Sequence, residues 1–375
     1  MADVFISAIL IFISPILIFF RRNKVKLLGG KIGFTSVAII LLLFFFIFSP
    51  LIATVNPEFQ KNLNVTKLLP PLSKLKVLHL TEVENRKQNH LAEFLENKNK
   101  VVKRSFEDEI IFIDSLKLIS KDSTIYFQNN NVIEVEEGKI EFIGGKPEIS
   151  ERIFILGTDE LGRDTFSRLV YGTRVSLLVG LGAVIISLLL GLSLGFLAGF
   201  TSGIIDTILS RITDMLLAFP MIFLIILILA LFGNSLFAVI IVLGFTGWMS
   251  LFKIVRGEVI SIKGKEFFIS AKMIGLSNFN LLKNEILPVI AASVIVNLIF
   301  QYGNVILAEA ALSFLGLGTG GSYPSWGQMI EAGQSYLTSG WWMILFPGLI
   351  LFITLFAANN LGKEINVYFN PAMKK

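Results

Sequence analysis

The sequence contains no cysteine, so it offers neither a disulfide nor a thiolate for metal or nucleophilic chemistry. Its only histidines, His79 and His90, both lie in a polar region and give no basis for a histidine-built metal or catalytic centre. Charge is scarce: 16% of the 375 residues are charged, against about 25% in soluble domains. The net charge of +5 comes from lysines and arginines beside apolar runs, which is a topology signal and not a nucleic-acid-binding surface. Nucleotide-binding machinery is missing too. Gly264-Lys265 resembles the end of a phosphate-binding loop, but Glu266 stands where Ser or Thr is required. Six residues, not four, separate it from Gly257. No nucleophile–base pair or group of metal ligands stands out. The expectation is a chain that is not itself an enzyme, carries no cofactor or metal, and has no nucleic-acid partner.

What is present is apolar. The chain is 54% hydrophobic, with mean hydropathy +0.73. Several runs reach the roughly 20 residues that a bilayer crossing needs. They do not alternate polar and apolar residues as barrel strands do. The expected fold class is therefore an all-α polytopic membrane protein. Spans are expected at 34–54, 175–199, 208–232, 236–255, 286–310 and 343–361, with Ala218-Phe219-Pro220 kinking the third. Ahead of them, Val4–Phe20 is a marginal apolar segment. It reads either as an extra span or as a helix embedded in the inner face. Arg21–Lys31 carries five positive charges and no acid, so it belongs in the cytoplasm. Six spans then place 56–173 outside, and 256–285 and the tail Gly362–Lys375 inside.

This divides the chain into an N-terminal segment (1–33), a first core span (34–54), an extracytoplasmic insert (55–155), a core (156–362) and a tail (363–375). The insert contrasts with the rest in its mixed charge. Leu69-Pro70-Pro71 marks a stiff turn. Short β-like runs are expected at Ile110–Ile113, Thr124–Gln128, Val132–Val135 and Lys139–Ile143, separated by turns at Asn129–Asn131 and Glu136–Gly138.

Three features carry the functional argument. The first is Arg256–Pro288, a long charged interruption between apolar runs. Within it Phe267, Ala271 and Ile274 fall at helical spacing, with Phe268 alongside, and Gly275 stops the helix. Such a helix either docks on a soluble partner or lies flat on lipid headgroups. The second is a polar stripe on the fifth span, Asn297, Gln301 and Asn304, which lines a path or hydrogen-bonds between helices. Glu309, near the outer end of that span, is an acid at membrane depth and joins the candidate pore lining. Asp206, Arg211 and Asp214 sit at the inner mouth of the third span, with Arg211 and Asp214 expected to pair. The third feature is the glycine-punctuated turn Leu156–Asp164, in which Arg163 and Arg174 are placed to pair with Asp159 or Asp164.

The string LGTDELGRDTFSRLVYGTRVSL, with Gly157, Thr158, Asp159, Gly162, Arg163 and Asp164 as its signature, resembles the dipeptide, oligopeptide and nickel permease family of bacterial ABC importers. So do Ala308–Gly318, Pro324–Gly327 and Phe346–Gly348. Arg256–Pro288 is similar to that family's cytoplasmic loop. Gly275 and Leu287-Pro288 stand at the family spacing, but Ile269-Ser270-Ala271 stands where Glu-Ala-Ala is usual and Glu285 where Ile is usual. The resemblance covers about 21–71 and 154–370. It implies a type I ABC-importer permease in the inner membrane, carrying peptides or, alternatively, nickel or another small solute. Its implied partners are a second permease subunit, two cytosolic ATP-binding subunits and an extracytoplasmic solute-binding protein. Glu266, Phe267, Ala271, Ile274, Gly275, Leu287 and Pro288 would couple it to the ATPases. An ion-gradient transporter would need inverted repeats and midplane ionisable groups, and neither stands out.

Overall fold

The computed structural model describes residues 34–53, 55–79, 110–113, 115–118, 123–128, 131–136, 142–143, 146–147, 149–320 and 324–369. The segment Val4–Phe20, the basic stretch Arg21–Lys31, His90, most of the two expected turns in the insert and Lys374-Lys375 lie outside the described residues.

The helices, in order, are α1 (Phe34–Ile52), α2 (Leu63–Thr66), α3 (Thr165–Thr201), α4 (Gly203–Ala218), α5 (Met221–Phe232), α6 (Leu236–Lys263), α7 (Glu266–Met273), α8 (Asn278–Asn280), a π turn (Leu281–Ile286), α9 (Leu287–Phe314), α10 (Trp326–Gly333) and α11 (Trp342–Phe369). Among the described residues, α1, α3, α6, α8–α9 and α11 are each long and apolar enough to cross a membrane. The bent pair α4–α5 makes a sixth crossing if it counts as one span.

That pair was expected as a single kinked helix. Instead it breaks, and the two halves meet at 89°. Pro220 has no N–H to continue the ladder, and its ring drives the preceding residue out of the helical region. Phe219 accordingly sits at φ −83, ψ 137. Its two ends still lie on opposite sides of the bundle. Lys263 at the end of α6 donates to the carbonyls of Gly199 (3.1 Å) and Phe200 (2.8 Å), so α3 and α6 end together just before α4 begins. Asn234, just past α5, donates to Gly316 O at the far end of α9 (3.2 Å). The chain therefore runs from one end of the bundle to the other between 203 and 234.

α3 and α6 form the centre of the bundle. Gly191, Gly195 and Gly199 recur every four residues on α3. A methyl group at any of them would lie 2.8 Å from the Cβ of Leu251, Val255 or Val259 of α6 respectively. From the other side, Gly244 of α6 admits Ile186 of α3. Small residues at this spacing let two backbones approach closely where no hydrophobic effect drives them together. α9 and α11 pack beside this pair, and α1 closes one flank with an outer face of exposed Leu, Ile and Phe.

The insert is β-rich among its described residues. Strands β1 (Ser73–His79), β2 (Ile110–Ile113) and β8 (Ile149–Phe154) form an antiparallel sheet ordered β2-β1-β8. β3 (Ser115–Leu118), β4 (Ser123–Gln128) and β5 (Asn131–Glu136) form an antiparallel meander, and β6 (Phe142–Ile143) pairs with β7 (Lys146–Pro147). The expected run Lys139–Ile143 keeps only its last two residues as strand among those described. β1 and β8, which the sequence reading left unassigned, tie the two ends of the insert together, from Ser73↔Phe154 to Leu78↔Ile149. The insert is thus grafted at one point, between α1 and α3.

Candidate functional site

Three places were singled out by sequence, one on each face of the membrane and one within it. At the inner face, α7 is held against the bundle by Phe268 and Ala271, both buried in a cluster with Val259, Ile262, Leu281, Ile286 and Ile290. Glu266 opens α7 in its first turn, where an acid complements the helix dipole. The helix ends in a Schellman motif: Leu276 N–H reaches Ala271 O (3.4 Å) and Gly275 N–H reaches Lys272 O (3.0 Å). Gly275 has φ +87, a conformation that a side chain would strain. The expected apolar stripe is split by this packing. Ala271 belongs to the protein's own core, because the loop folds back on α6 and α9 and does not hang free. The apolar side chains left facing outward on α7 and the turn after it are Phe267, Ile269, Met273 and Ile274, the last two 83% and 82% exposed. Met273 was missed; it lies one helical turn beyond Ile269, on the side of α7 opposite the buried Phe268 and Ala271. Leu287 and Pro288 follow a π turn in which Leu287 N–H bonds back to Leu282 O. That wide turn joins the loop to α9 ahead of a proline that cannot donate.

Within the membrane, Asn297 and Gln301 are half-buried and Asn304 is exposed. Asn297 Oδ1 and both polar atoms of the Gln301 amide are buried and make no hydrogen bond among the described residues. The Gln301 amide and the Ser187 hydroxyl occupy the notch left by Gly247 on α6. The stripe is therefore not satisfied by hydrogen bonds between helices of this chain. Glu309 departs from it altogether. It is fully buried, and its carboxylate accepts from Ser313 (2.8 Å) and Ser176 (3.4 Å). Ser176 in turn accepts from Trp326 N–H (3.2 Å), and Ser325 caps α10. Glu309 thus clasps α3, α9 and the start of α10 and lines no open path. Its position about 120° around the helix from the stripe carries it into the packed side.

The expected Arg211–Asp214 pair is also corrected. Asp214 pairs with Lys253 of α6 (2.9 Å), and Asp206 with Arg256 of α6 (2.7 Å). The break at Pro220 lays α4 across α6, bringing these cations within reach.

At the outer face, the signature turn is a buried charge knot. Asp159 accepts from the N–H groups of Leu161 (2.9 Å) and Arg163 (2.8 Å) and from Arg163 Nε (2.7 Å), with Arg168 Nε at 3.5 Å. Both arginines also reach Glu58, at 3.2 and 3.0 Å. Burial, with the neighbouring Asp159 charge, pushes the Glu160 carboxyl above its ordinary range. Asp164 accepts from Ser167 N–H (2.9 Å) and caps α3. Thr158 bonds Leu69 N–H (2.8 Å) and, through its carbonyl, Trp342 of α11 (2.9 Å). Gly157 and Gly162 both hold positive φ, and any side chain there would strike Leu69 O or Thr66. Of the two arginines expected to pair here, Arg163 does. The second partner of the knot is Arg168, not Arg174, because the six-residue step from one to the other, roughly 9 Å along α3, carries Arg174 past the cluster. Glu58 was missed for want of any local signal.

A profile described as binding-protein-dependent transport system inner membrane component matches residues 191–375. The dipeptide transport system permease protein DppC of Bacillus subtilis (strain 168) is 38% identical over 220 residues, covering 58% of this chain and 69% of its own length. The chain belongs to the binding-protein-dependent transport system inner membrane components. The oligopeptide permease OppC of the same organism is 35% identical over 219 residues, 58% of this chain and 72% of that one. The di/tripeptide permease DppC of Pseudomonas aeruginosa (strain UCBPP-PA14) is 34% identical over 221 residues, 59% and 73% respectively. Among solved structures, an inward-facing MetNI methionine ABC transporter aligns with a TM-score of 0.43 at 16% identity, covering 52% of this chain and 95% of that one. As an inner-membrane component, this chain sits in the membrane through the helices described above.

Proposed function

We propose that this inner-membrane component is the permease subunit of an ATP-driven importer of dipeptides or oligopeptides. It works with a second permease subunit, two cytosolic ATPases and an extracytoplasmic solute-binding protein. The substrate class follows from the named functions of its relatives. The observation that carries the coupling role is the inner loop, whose outward apolar surface of Phe267, Ile269, Met273 and Ile274 rests on a base packed into the bundle. ATP-driven closure of the ATPases moves α7, and α7 moves α6 and α9 with it. Gly275 and Leu287-Pro288 set the shape of that loop. Glu266 stands at its entrance.

Energy comes from other chains in this reading. The purified permease alone is expected to hydrolyse no ATP, and turnover is expected on co-assembly with the ATPases. Measurable turnover by the isolated chain in a phosphate-release assay would overturn the assignment.

The solute path runs past Asn297, Gln301 and Asn304. The buried, unpartnered polar atoms of Asn297 and Gln301 cost roughly 1–3 kcal/mol each. That cost is relieved by water or solute along a path. Replacing all three with leucine is expected to abolish peptide uptake into vesicles while the assembled complex still purifies. Uptake at the wild-type rate would mean that the stripe faces elsewhere.

A further inference from the structure

The turn Pro70-Pro71-Leu72-Ser73 leads from α2 into β1 and holds a conflict between sequence and conformation. Ser73 N–H donates to Pro70 O (3.2 Å), closing a four-residue turn. Pro71 fixes a negative φ at the second position. Leu72, at the third, has φ +66. This is a type II turn, whose third position calls for Gly or Asn, since positive φ brings a side chain against the neighbouring carbonyl. Leucine occupies it instead, and is 70% exposed.

Leu68 also has a positive φ, but its side chain packs near Gly340 and so gains burial. Leu72 gains none. Glycine at position 72 would relieve strain and remove apolar surface from water at once. Folding therefore argues against leucine there on two counts. Strain of this kind persists where the surroundings enforce it and function uses it. The enforcement is visible: Leu72 N–H donates to Phe154 O (2.8 Å), and Ser73 Oγ donates to Pro70 O (2.6 Å).

The surroundings are basic and partly apolar. Lys67 is exposed beside the turn, and Lys74 and Lys76 are exposed on β1. Lys74 lies opposite Ile153 of β8, itself exposed, and Lys76 lies opposite Glu151. Among the described exposed residues of 67–79 and β8, three lysines stand against one acid, Glu151. Everything here is on the extracytoplasmic side.

We propose that Leu72 is an apolar knob that seats in the solute-binding protein, and that Lys67, Lys74 and Lys76 steer that partner through carboxylates bordering its recess. The proposal rests on the importer reading above and deepens it by naming where the binding protein is gripped. A knob on a strained, pre-set turn loses little freedom on docking, which is what a tight contact needs. Its neighbour β8 runs directly into the signature turn and α3, so docking is felt at the central helix of the bundle.

The test uses the full complex in lipid nanodiscs and the solute-binding protein encoded in the same gene cluster, loaded with a dipeptide. Leu72→Gly and Leu72→Asn are expected to leave the melting temperature unchanged or raised, and to weaken docking tenfold or more, as loss of a central apolar anchor does. Leu72→Met is expected to dock nearly as the wild type does. Lys74→Glu with Lys76→Glu is expected to slow association and remove its salt dependence. Unchanged affinity in Leu72→Gly overturns the knob. If the wild-type complex neither docks the binding protein nor responds to it in ATP turnover, the importer reading itself fails and the knob falls with it.

Discussion

Replacing Met273 and Ile274 with glutamate is expected to abolish co-purification of the cytosolic ATPases while the membrane bundle stays folded. Both side chains are more than four-fifths exposed and contribute little to the protein's own core. Fully burying a Met or Ile is worth roughly 1.5–3 kcal/mol, so losing two removes about 3–6 kcal/mol of docking energy. At about 1.4 kcal/mol per factor of ten, that is a loss of at least a hundredfold. Placing unpaired carboxylates in the contact adds a desolvation cost. Ala271→Glu provides the contrast. Ala271 is buried against the bundle, so its replacement is expected to unseat α7 and lower thermal stability as well as ATPase association. Gly275→Val falls between, at roughly 1–2 kcal/mol for the left-handed residue. Co-purification and binding-protein-stimulated ATP hydrolysis measure all three. Wild-type behaviour of the double glutamate variant would place this face on lipid and end the coupling proposal.

Asp159→Ala is expected to be the most damaging single change on the outer face. It strips two arginines of a shared buried carboxylate and leaves two backbone N–H groups without their acceptor. Breaking a buried ion pair by removing one partner costs about 3–5 kcal/mol. That is a large share of the roughly 5–15 kcal/mol that holds a typical domain folded. The expected result is a sharp fall in purified yield and melting temperature, with α3 losing its anchorage to 55–72. Asp159→Asn keeps an acceptor for the N–H groups and is expected to fall between the two. Equal stability of Asp159→Ala and wild type would mean that the knot is ornamental.

Much of this architecture is legible in the residues, for a physical reason. A bilayer imposes length and apolarity on each crossing, so the spans near 34–54, 175–199, 236–255, 286–310 and 343–361 all correspond to helices, although α3 and α6 extend well past the apolar cores that announce them. Gly275 was readable because positive φ leaves glycine as the natural choice. The break at Pro220 was readable as a position but not as an angle, since a proline removes a hydrogen bond without dictating where the next helix goes. β8 was hidden because ISERIF shows no clean alternation, whereas in β1 Lys74-Leu75-Lys76-Val77 does alternate polar and apolar and was a strand signal left unread; among the described residues the two pair with each other and with β2. Which side of α7 faces inward depended on contacts with α6, the π turn and α9, and no local pattern contains these. The same is true of Glu309 and its serines, drawn from three separate elements. The four-residue spacing of Gly191, Gly195 and Gly199 was a signal available in the sequence and left unread.

That glycine rail has a mechanical consequence. With backbones this close and no loose side chains between them, α3 and α6 cannot slide or splay cheaply, and they behave as one beam through the bilayer. The inner end of the beam carries α7. Its outer end carries the charge knot and, through β8, the sheet of β1 and β2. In the proposed importer, a tilt imposed at the α7 end of this beam is expected to reappear at the charge-knot end in the opposite direction, as on a seesaw.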